Sequence, residues 1–199
     1  MVYSTSTRST VACLAAAGLL AVAGCGTSVG SGTTPADQGG ALAGGEATTG
    51  GEAAAVAYVD ARYHYRIDAP GRMTANSDGT ASLIAPSQRL EIIVVQGAKA
   101  ADVSALADAD AKSLASSVPS FRELASPATG TLGGYRMTRF SYTWDAGTSA
   151  VTGKAIQLTS VRYYVPKDAS TVAVITYGIV SNQFDPQGAD DLASTFKWL

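Results

Sequence analysis

The chain carries a single histidine, His64, so any catalytic triad of the serine-hydrolase type would have to use it. Polar and apolar residues alternate from Arg62 to Asp68, which predicts a half-buried strand. On that strand His64 would share a face with Arg62, Arg66 and Asp68. Cationic neighbours disfavour a protonated imidazole, and they do not orient a triad. We therefore expect an ordinary sheet or surface histidine and predict no catalytic residue.

Carboxylates could instead bind a metal or act in acid–base catalysis. Asp108 and Asp110 lie two positions apart within a predicted helix, 102–118, and should point to different sides of it. The EF-hand calcium loop needs further oxygen ligands and a glycine at fixed positions, which this segment lacks. A solvated helix face is expected for both residues, as it is for Asp190 and Asp191. No metal site is predicted, whereas a pair of carboxylates distant in sequence, as in glycoside hydrolases, stays open.

Most of the tyrosines are expected to pack in the core or across strands. Tyr163 and Tyr164 are neighbours in a predicted strand, 156–165, so one must face each side of the sheet. Together with Arg162 or Arg136, one of them could anchor a partner, because tyrosine and arginine are frequent at interfaces. These four residues are the candidates for partner binding, with internal packing as the alternative.

The strongest chemical signal lies at the start of the chain. Both cysteines, Cys13 and Cys25, occur there, so the remainder has no thiol for a disulfide, a metal or nucleophilic catalysis. Arg8 precedes an apolar run from Val11 to Ala23, which has the length of a signal-peptide core and is too short to span a bilayer. The run ends in Val-Ala-Gly-Cys, which resembles the lipobox of bacterial lipoproteins. Residues 1–24 are predicted to be the signal peptide, and Cys25 the lipid attachment site.

Residues 25–56 are predicted to be the lipidated cysteine followed by a flexible linker. Between residues 26 and 55 the chain is rich in Gly, Ser, Thr and Ala, has no aromatic residue, and has Val29 and Leu42 as its only larger aliphatic side chains. Such a composition cannot bury enough apolar surface to offset the entropy of ordering it. The remainder, 57–199, has the size of one domain.

Hydrophobic periodicity divides residues 57–199 into strands and two helices. One helix is predicted over 102–118, and a second begins after Asp185, with Pro186 at its first position. In the strand that contains Arg139 the apolar positions change parity, which predicts a bulge or burial on both faces. The predicted strands cover 62–68, 81–85, 89–96, 120–126, 132–144, 156–165 and 171–179.

The order of these elements predicts an α+β fold. Short turns between consecutive strands favour a mainly antiparallel sheet, with about six or seven strands in all. The apolar strands predict helices packed on both faces of that sheet.

Four segments carry a resemblance to a known family: Tyr65–Gly71, Leu132–Phe140, Arg162–Val165 and Asp190–Trp198. Together they resemble the PsbP-like superfamily, especially the small actinobacterial lipoproteins of the LpqN type. Members often have Gly-Trp after the first proline, where this chain has Gly71-Arg72. The resemblance implies an antiparallel sheet between helices and a protein that acts by binding other proteins. No metal-binding residue of the family can be carried over.

These features predict a lipoprotein held by Cys25 at the extracytoplasmic face of the cell membrane, with a non-enzymatic binding or scaffold role in the envelope. The expected partners are the membrane itself and an unidentified envelope protein or ligand. The chain has 14 basic and 16 acidic residues in a mixed distribution, so no nucleic-acid binding is predicted. No cofactor is predicted either. Two alternatives are a carrier of a small apolar or lipid ligand, which needs an apolar cavity, and an envelope hydrolase using His64 or a distant pair of carboxylates.

Overall fold

A computed structural model describes residues 55–85, 87–97, 102–149 and 152–199. The predicted signal peptide 1–24, the predicted lipid site Cys25 and nearly all of the predicted linker lie outside these ranges. The first strand already begins at Val56, the last residue assigned to that linker.

The strands of the described chain form two sheets in which all pairings are antiparallel. The smaller sheet has the order β1-β2-β10, with β1 Val56–Asp60, β2 Tyr65–Ala69 and β10 Lys197–Trp198. The larger sheet has the order β3-β4-β5-β9-β8-β7-β6. Its strands are β3 Thr74–Ala75, β4 Ala81–Ile84, β5 Gln88–Gln96, β6 Arg122–Leu132, β7 Tyr135–Thr148, β8 Ala155–Asp168 and β9 Thr171–Val180. The predicted, mainly antiparallel architecture is confirmed, whereas the second sheet was not predicted.

Two α-helices accompany the sheets, and both begin where the sequence predicts. Helix α1 spans Val103–Ser117, and the carboxylate of Asp102 caps it by accepting a hydrogen bond from the Ala105 amide. Helix α2 spans Pro186–Ser194, and Asp185 caps it in the same way. An aspartate at the N-cap satisfies amide groups that have no partner within the helix. Neither described helix has the length and apolarity needed to cross a membrane.

The buried side chains form two clusters, each of which includes one helix. The first cluster contains Ala189 and Ala193 of α2, and the second contains Ala107 and Ala111 of α1. Strand β7 contributes to both. Met137 belongs to the first cluster, whereas Phe140 and Tyr142 belong to the second. Odd-numbered and even-numbered residues of a strand face opposite sides of the sheet, which accounts for the change of parity in the sequence. The neighbouring β6 carries register shifts between Glu123 and Ala128, so a bulge accompanies the burial.

The structure corrects the prediction of a strand over 62–68. Strand β2 begins only at Tyr65, because the preceding residues form the turn of a β1–β2 hairpin. Asp60 stabilises this turn by accepting hydrogen bonds from the amides of Arg62 and Tyr63, both at 2.8 Å. His64 is exposed and adopts a φ of 57°, so it belongs to the turn and not to a strand face.

The predicted strand 132–144 is divided by a turn at its start. Gly133 and Gly134 adopt φ values of 58° and 91°, which suit glycine far better than other residues. They form the two-residue connection of the β6–β7 hairpin, so that Leu132 pairs with Tyr135. A glycine pair at the beginning of a strand pattern is a hairpin signal that the parity of the apolar residues concealed.

Candidate binding groove

A partly buried ion pair joins α1 to the sheet. Arg162 of β8 donates to the Asp110 carboxylate at 2.6 Å, and the Tyr164 hydroxyl donates to the same oxygen at 2.6 Å. Arg162 and Tyr164 are two positions apart in one strand and therefore share a face. We refer to Asp110, Arg162 and Tyr164 as the α1 cluster.

A similar arrangement joins α2 to the sheet. Arg139 and Tyr163 lie opposite each other in the β7–β8 register, and both donate to Oδ1 of Asp190. We refer to Asp190, Arg139 and Tyr163 as the α2 cluster. Adjacent tyrosines of β8 are thus each bonded to an aspartate of a different helix.

The two clusters differ in their exposure to water. The side chain of Arg162 is 14% exposed, whereas that of Arg139 is 42% exposed. Burial would lower the pKa of Arg162, but the neighbouring Tyr142, Asp110 and Tyr164 outweigh it and raise that pKa. The Nε atom of Arg162 is buried without a hydrogen-bond partner in the described structure. Burial raises the pKa of Tyr164 and of Tyr163 as well.

The aspartates of these clusters correct the sequence analysis, which assigned Asp110 and Asp190 to solvated helix faces. Both are ion-paired and only partly exposed. Their partners lie far away in the chain, with Tyr164 54 residues from Asp110. No local pattern could have paired them, because the pairing depends on how each helix folds back onto the sheet.

The four candidates for partner binding lie in different environments. Tyr163 and Tyr164 have no exposed surface, and Arg162 is directed into the α1 cluster, which favours the alternative of internal packing for these three. Arg136 is exposed at the start of β7 and lines a cavity of about 410 Å³ beside Asp102. A partner role for Arg136 stays a prediction.

A solvent-open groove of about 740 Å³ lies beside α2. Helix α2 forms one wall of the groove. The end of β2, the start of β5 and the end of β9 form the others, together with residues that flank these elements. Its lining consists of Ala55, Asp68, Pro70, Gln88, Tyr177, Ile179, Gln183, Asp185, Gly188, Ala189, Asp191, Leu192 and Thr195.

Hydrogen bonds fix the walls of this groove. The Thr195 hydroxyl accepts a hydrogen bond from the Asp68 amide at 3.0 Å and donates one to the Leu192 carbonyl at 2.7 Å, which ties β2 to the end of α2. The Tyr177 hydroxyl is 3.5 Å from Oε1 of Gln88, a contact at the outer limit for a hydrogen bond. Burial raises the pKa of Tyr177. The groove is therefore preformed, with a phenol and an amide that are only weakly engaged.

The groove combines apolar walls with negative charge. Among the described residues, its lining includes three carboxylates, those of Asp68, Asp185 and Asp191, and no lysine or arginine. Asp68 forms an ion pair with Arg66 at 2.8 Å. Asp185 accepts hydrogen bonds from backbone amides of α2, and Asp191 accepts one from the Gln187 side chain at 2.7 Å. Neither has a cationic partner within the described ranges.

His64, which the hydrolase alternative would require, lies outside the lining of the groove. Within the described part of the chain, no three or more His, Cys, Asp and Glu side chains are grouped closely enough to hold a metal ion.

Comparison with known proteins gives matches in structure alone. No protein-family model and no curated protein matches the sequence. Among solved structures, a protein from Bacteroides thetaiotaomicron VPI-5482 has a TM-score of 0.48 at 9% identity, covering 72% of this chain and 48% of that chain. The chain thus spans about half the length of the Bacteroides protein.

Two further solved structures are similar to this chain. The Ran-binding protein Mog1p of Saccharomyces cerevisiae has a TM-score of 0.50 at 10% identity, over 72% of this chain and 95% of that chain. LpqN, involved in cell envelope biogenesis of Mycobacterium tuberculosis, has a TM-score of 0.39 at 14% identity, over 70% of this chain and 78% of that chain. The likeness to Mog1p is one of fold.

Proposed function

We propose that this protein is a lipid-anchored, non-enzymatic binding module of the cell envelope, and that the groove beside α2 is its binding site. The groove is the observation that supports this proposal best. Its volume of about 740 Å³ falls in the range typical of ligand sites. It also brings a few polar groups together on apolar walls, as binding sites commonly do.

The frame of the groove supports a binding role. We infer that α1 and α2 cover opposite faces of the larger sheet, since the adjacent Tyr163 and Tyr164 are bonded to α2 and α1, respectively. A helix held by hydrogen bonds, an ion pair and apolar contacts presents its outer residues in a fixed geometry. Preorganised sites of this kind lose less entropy when a ligand binds.

The anchor rests on the sequence around Cys25. Two acyl chains on this residue would give stable attachment, because each buried CH₂ contributes about 0.8 kcal/mol and a single chain gives only marginal binding. We expect a Cys25→Ser variant to leave the detergent phase in a phase-partition experiment, or to accumulate as the unprocessed precursor. A variant that remains membrane-bound and mature in size would contradict the anchor.

The groove can be tested by crosslinking in intact cells. A benzophenone side chain placed at Gln183, which lines the groove, should give a discrete crosslinked product. The matched control is the neighbouring Asn182, which is also exposed but does not line the groove. Equal products from both positions, or none from Gln183, would rule out the groove as the binding site.

A carrier of a small apolar ligand is a second candidate, supported by the apolar walls formed by Ile179, Leu192 and Pro70. The three carboxylates of the lining favour the first proposal, because burying charge against an apolar ligand is costly. Extraction of the protein purified from membranes, followed by mass spectrometry of the extract, separates the two. A stoichiometric lipid beyond the anchor would favour carriage.

A further inference from the structure

We infer that the groove beside α2 recognises a cationic, partly apolar peptide segment of a partner protein, bound through a lysine or arginine side chain. This inference rests on the proposed function and adds the chemistry of the ligand to it. It follows from how charge and apolar surface are distributed over the groove lining.

The charged side chains that line the groove are acidic. Asp185 caps α2 and Asp191 lies on it, and no lysine or arginine among the described residues lines the groove to offset them. Their bonded neighbours within the described structure are backbone amides and the Gln187 side chain, none of which carries charge. A cation that entered the groove would meet two carboxylates that lack a counterion there, and a charged partner strengthens hydrogen bonds to carboxylates.

The apolar walls indicate what must accompany the charge. Ile179 and Leu192 line the groove together with the ring of Pro70. A small hydrated ion gains nothing from such walls, whereas the aliphatic stem of lysine or arginine can pack along apolar surface while its charged end reaches the carboxylates. Neighbouring apolar side chains of a peptide would extend the same contact.

The floor of the groove suits a peptide backbone. The Tyr177 hydroxyl and the Gln88 amide meet only at 3.5 Å, so each retains capacity to bond a ligand. A phenol and an amide together offer donors and acceptors to the amide and carbonyl groups of a peptide. A free polyamine has no carbonyl group and makes no use of the donors that the phenol and the amide offer.

The test measures binding to the full lipidated chain in detergent micelles. The probe is a fluorescent eight-residue peptide of alternating leucine and lysine, and glutamate replaces lysine in the control peptide. The test protein carries Asp185→Asn and Asp191→Asn, and because asparagine is also a good N-cap, α2 should be retained. The matched control is Asp102→Asn with Asp108→Asn, which likewise removes the charge of one capping and one helical aspartate, both exposed, at α1.

We expect the lysine peptide to bind and the double variant to bind it about tenfold more weakly at low salt, with a smaller difference at high salt. The control variant should bind as the unaltered protein does. Equal binding of the glutamate peptide, or no loss in the double variant with an unchanged circular dichroism spectrum, would overturn the inference. So would displacement of the peptide by spermine at equal charge concentration.

These outcomes are separable from those of the proposed function. A specific crosslink at Gln183 without binding of the lysine peptide would refute the cationic ligand and leave the binding groove in place. Failure of the crosslink itself would remove both.

Discussion

Replacing Asp110 by asparagine should destabilise the domain more than replacing Asp190 by asparagine. Each aspartate accepts hydrogen bonds from one arginine and one tyrosine, so the two clusters have the same composition. They differ in burial, because Arg162 is 14% exposed and Arg139 is 42% exposed. Without Asp110, the charge of Arg162 would remain in the interior with no counterion, whereas Arg139 can turn to water.

The difference can be worked out from this geometry. Breaking a buried ion pair by removing one partner costs about 3–5 kcal/mol. Since Asp110 is 32% exposed and water can reach part of the vacated site, we expect a loss of about 2–3 kcal/mol for Asp110→Asn. At Asp190 the losses are an ion pair whose arginine is partly solvated and a weakened hydrogen bond from Tyr163, about 1 kcal/mol together.

Urea unfolding of both variants, with the unaltered chain as reference, measures these losses as changes in the midpoint at constant slope. The corresponding decrease in Tm is about 5–10 °C for Asp110→Asn and about 2–4 °C for Asp190→Asn. A double variant, Asp110→Asn with Arg162→Met, should recover part of the loss because it removes the uncompensated charge. Equal losses in the two single variants, or a further loss in the double variant, would refute the reasoning.

Three other predictions concern the hairpin, the groove helix and the buried tyrosines. A Cβ added to Gly133 would lie 2.7 Å from the carbonyl oxygen of Ser194, whereas a Cβ added to Gly134 would have no described atom within 4 Å. Gly133→Ala should therefore lower the free energy of unfolding by about 2–4 kcal/mol, and Gly134→Ala by about 1 kcal/mol, as measured by urea unfolding. Equal costs would contradict the close approach. Asp185→Ala should cost about 1 kcal/mol by removing the cap of α2, while Asp185→Asn should be nearly neutral, and a thermal melt that ranks them otherwise would argue against capping. Burial raises the pKa of Tyr65 above its ordinary value of 10.0. Because the native state then holds this proton more tightly than the unfolded chain does, the stability of the fold should fall as the pH rises above about 10. Tyrosinate absorbance should then appear together with unfolding, and full ionisation in the native state would disprove this.

Much of the secondary structure could be predicted from local patterns. The caps at Asp102 and Asp185 mark helix starts because their carboxylates bond amides only two or three residues away. Strands β5 and β9 follow from continuous apolar runs. The hairpin turn around His64 was not predicted, because the alternating pattern of a strand runs through it. The turn is stabilised by the side chain of Asp60, which precedes that pattern.

The sequence did not predict the candidate groove, because none of the four candidates for partner binding lines it. The sequence singled out Arg162, Tyr163 and Tyr164 as unusual, and they do lie at the junctions between helices and sheet. The sequence left partner binding and internal packing both open for them, because tyrosine and arginine side chains have similar patterns at interfaces and in satisfied interiors. The aspartates that distinguish the two cases, Asp110 and Asp190, are far away in the chain.

The sequence by itself determined the features that depend on neighbours in the chain: the apolar run before Cys25, the helix caps, the alternation of β strands and the acidic character of the segment after Asp185. The tertiary structure alone decided which charges are paired and which line the groove. An ion pair or a cavity requires side chains to approach across strands and helices, and the folding of distant segments against one another sets those distances. Asp190 and Asp191 illustrate this, since adjacent residues of one helix lie in an ion pair and in the open groove, respectively.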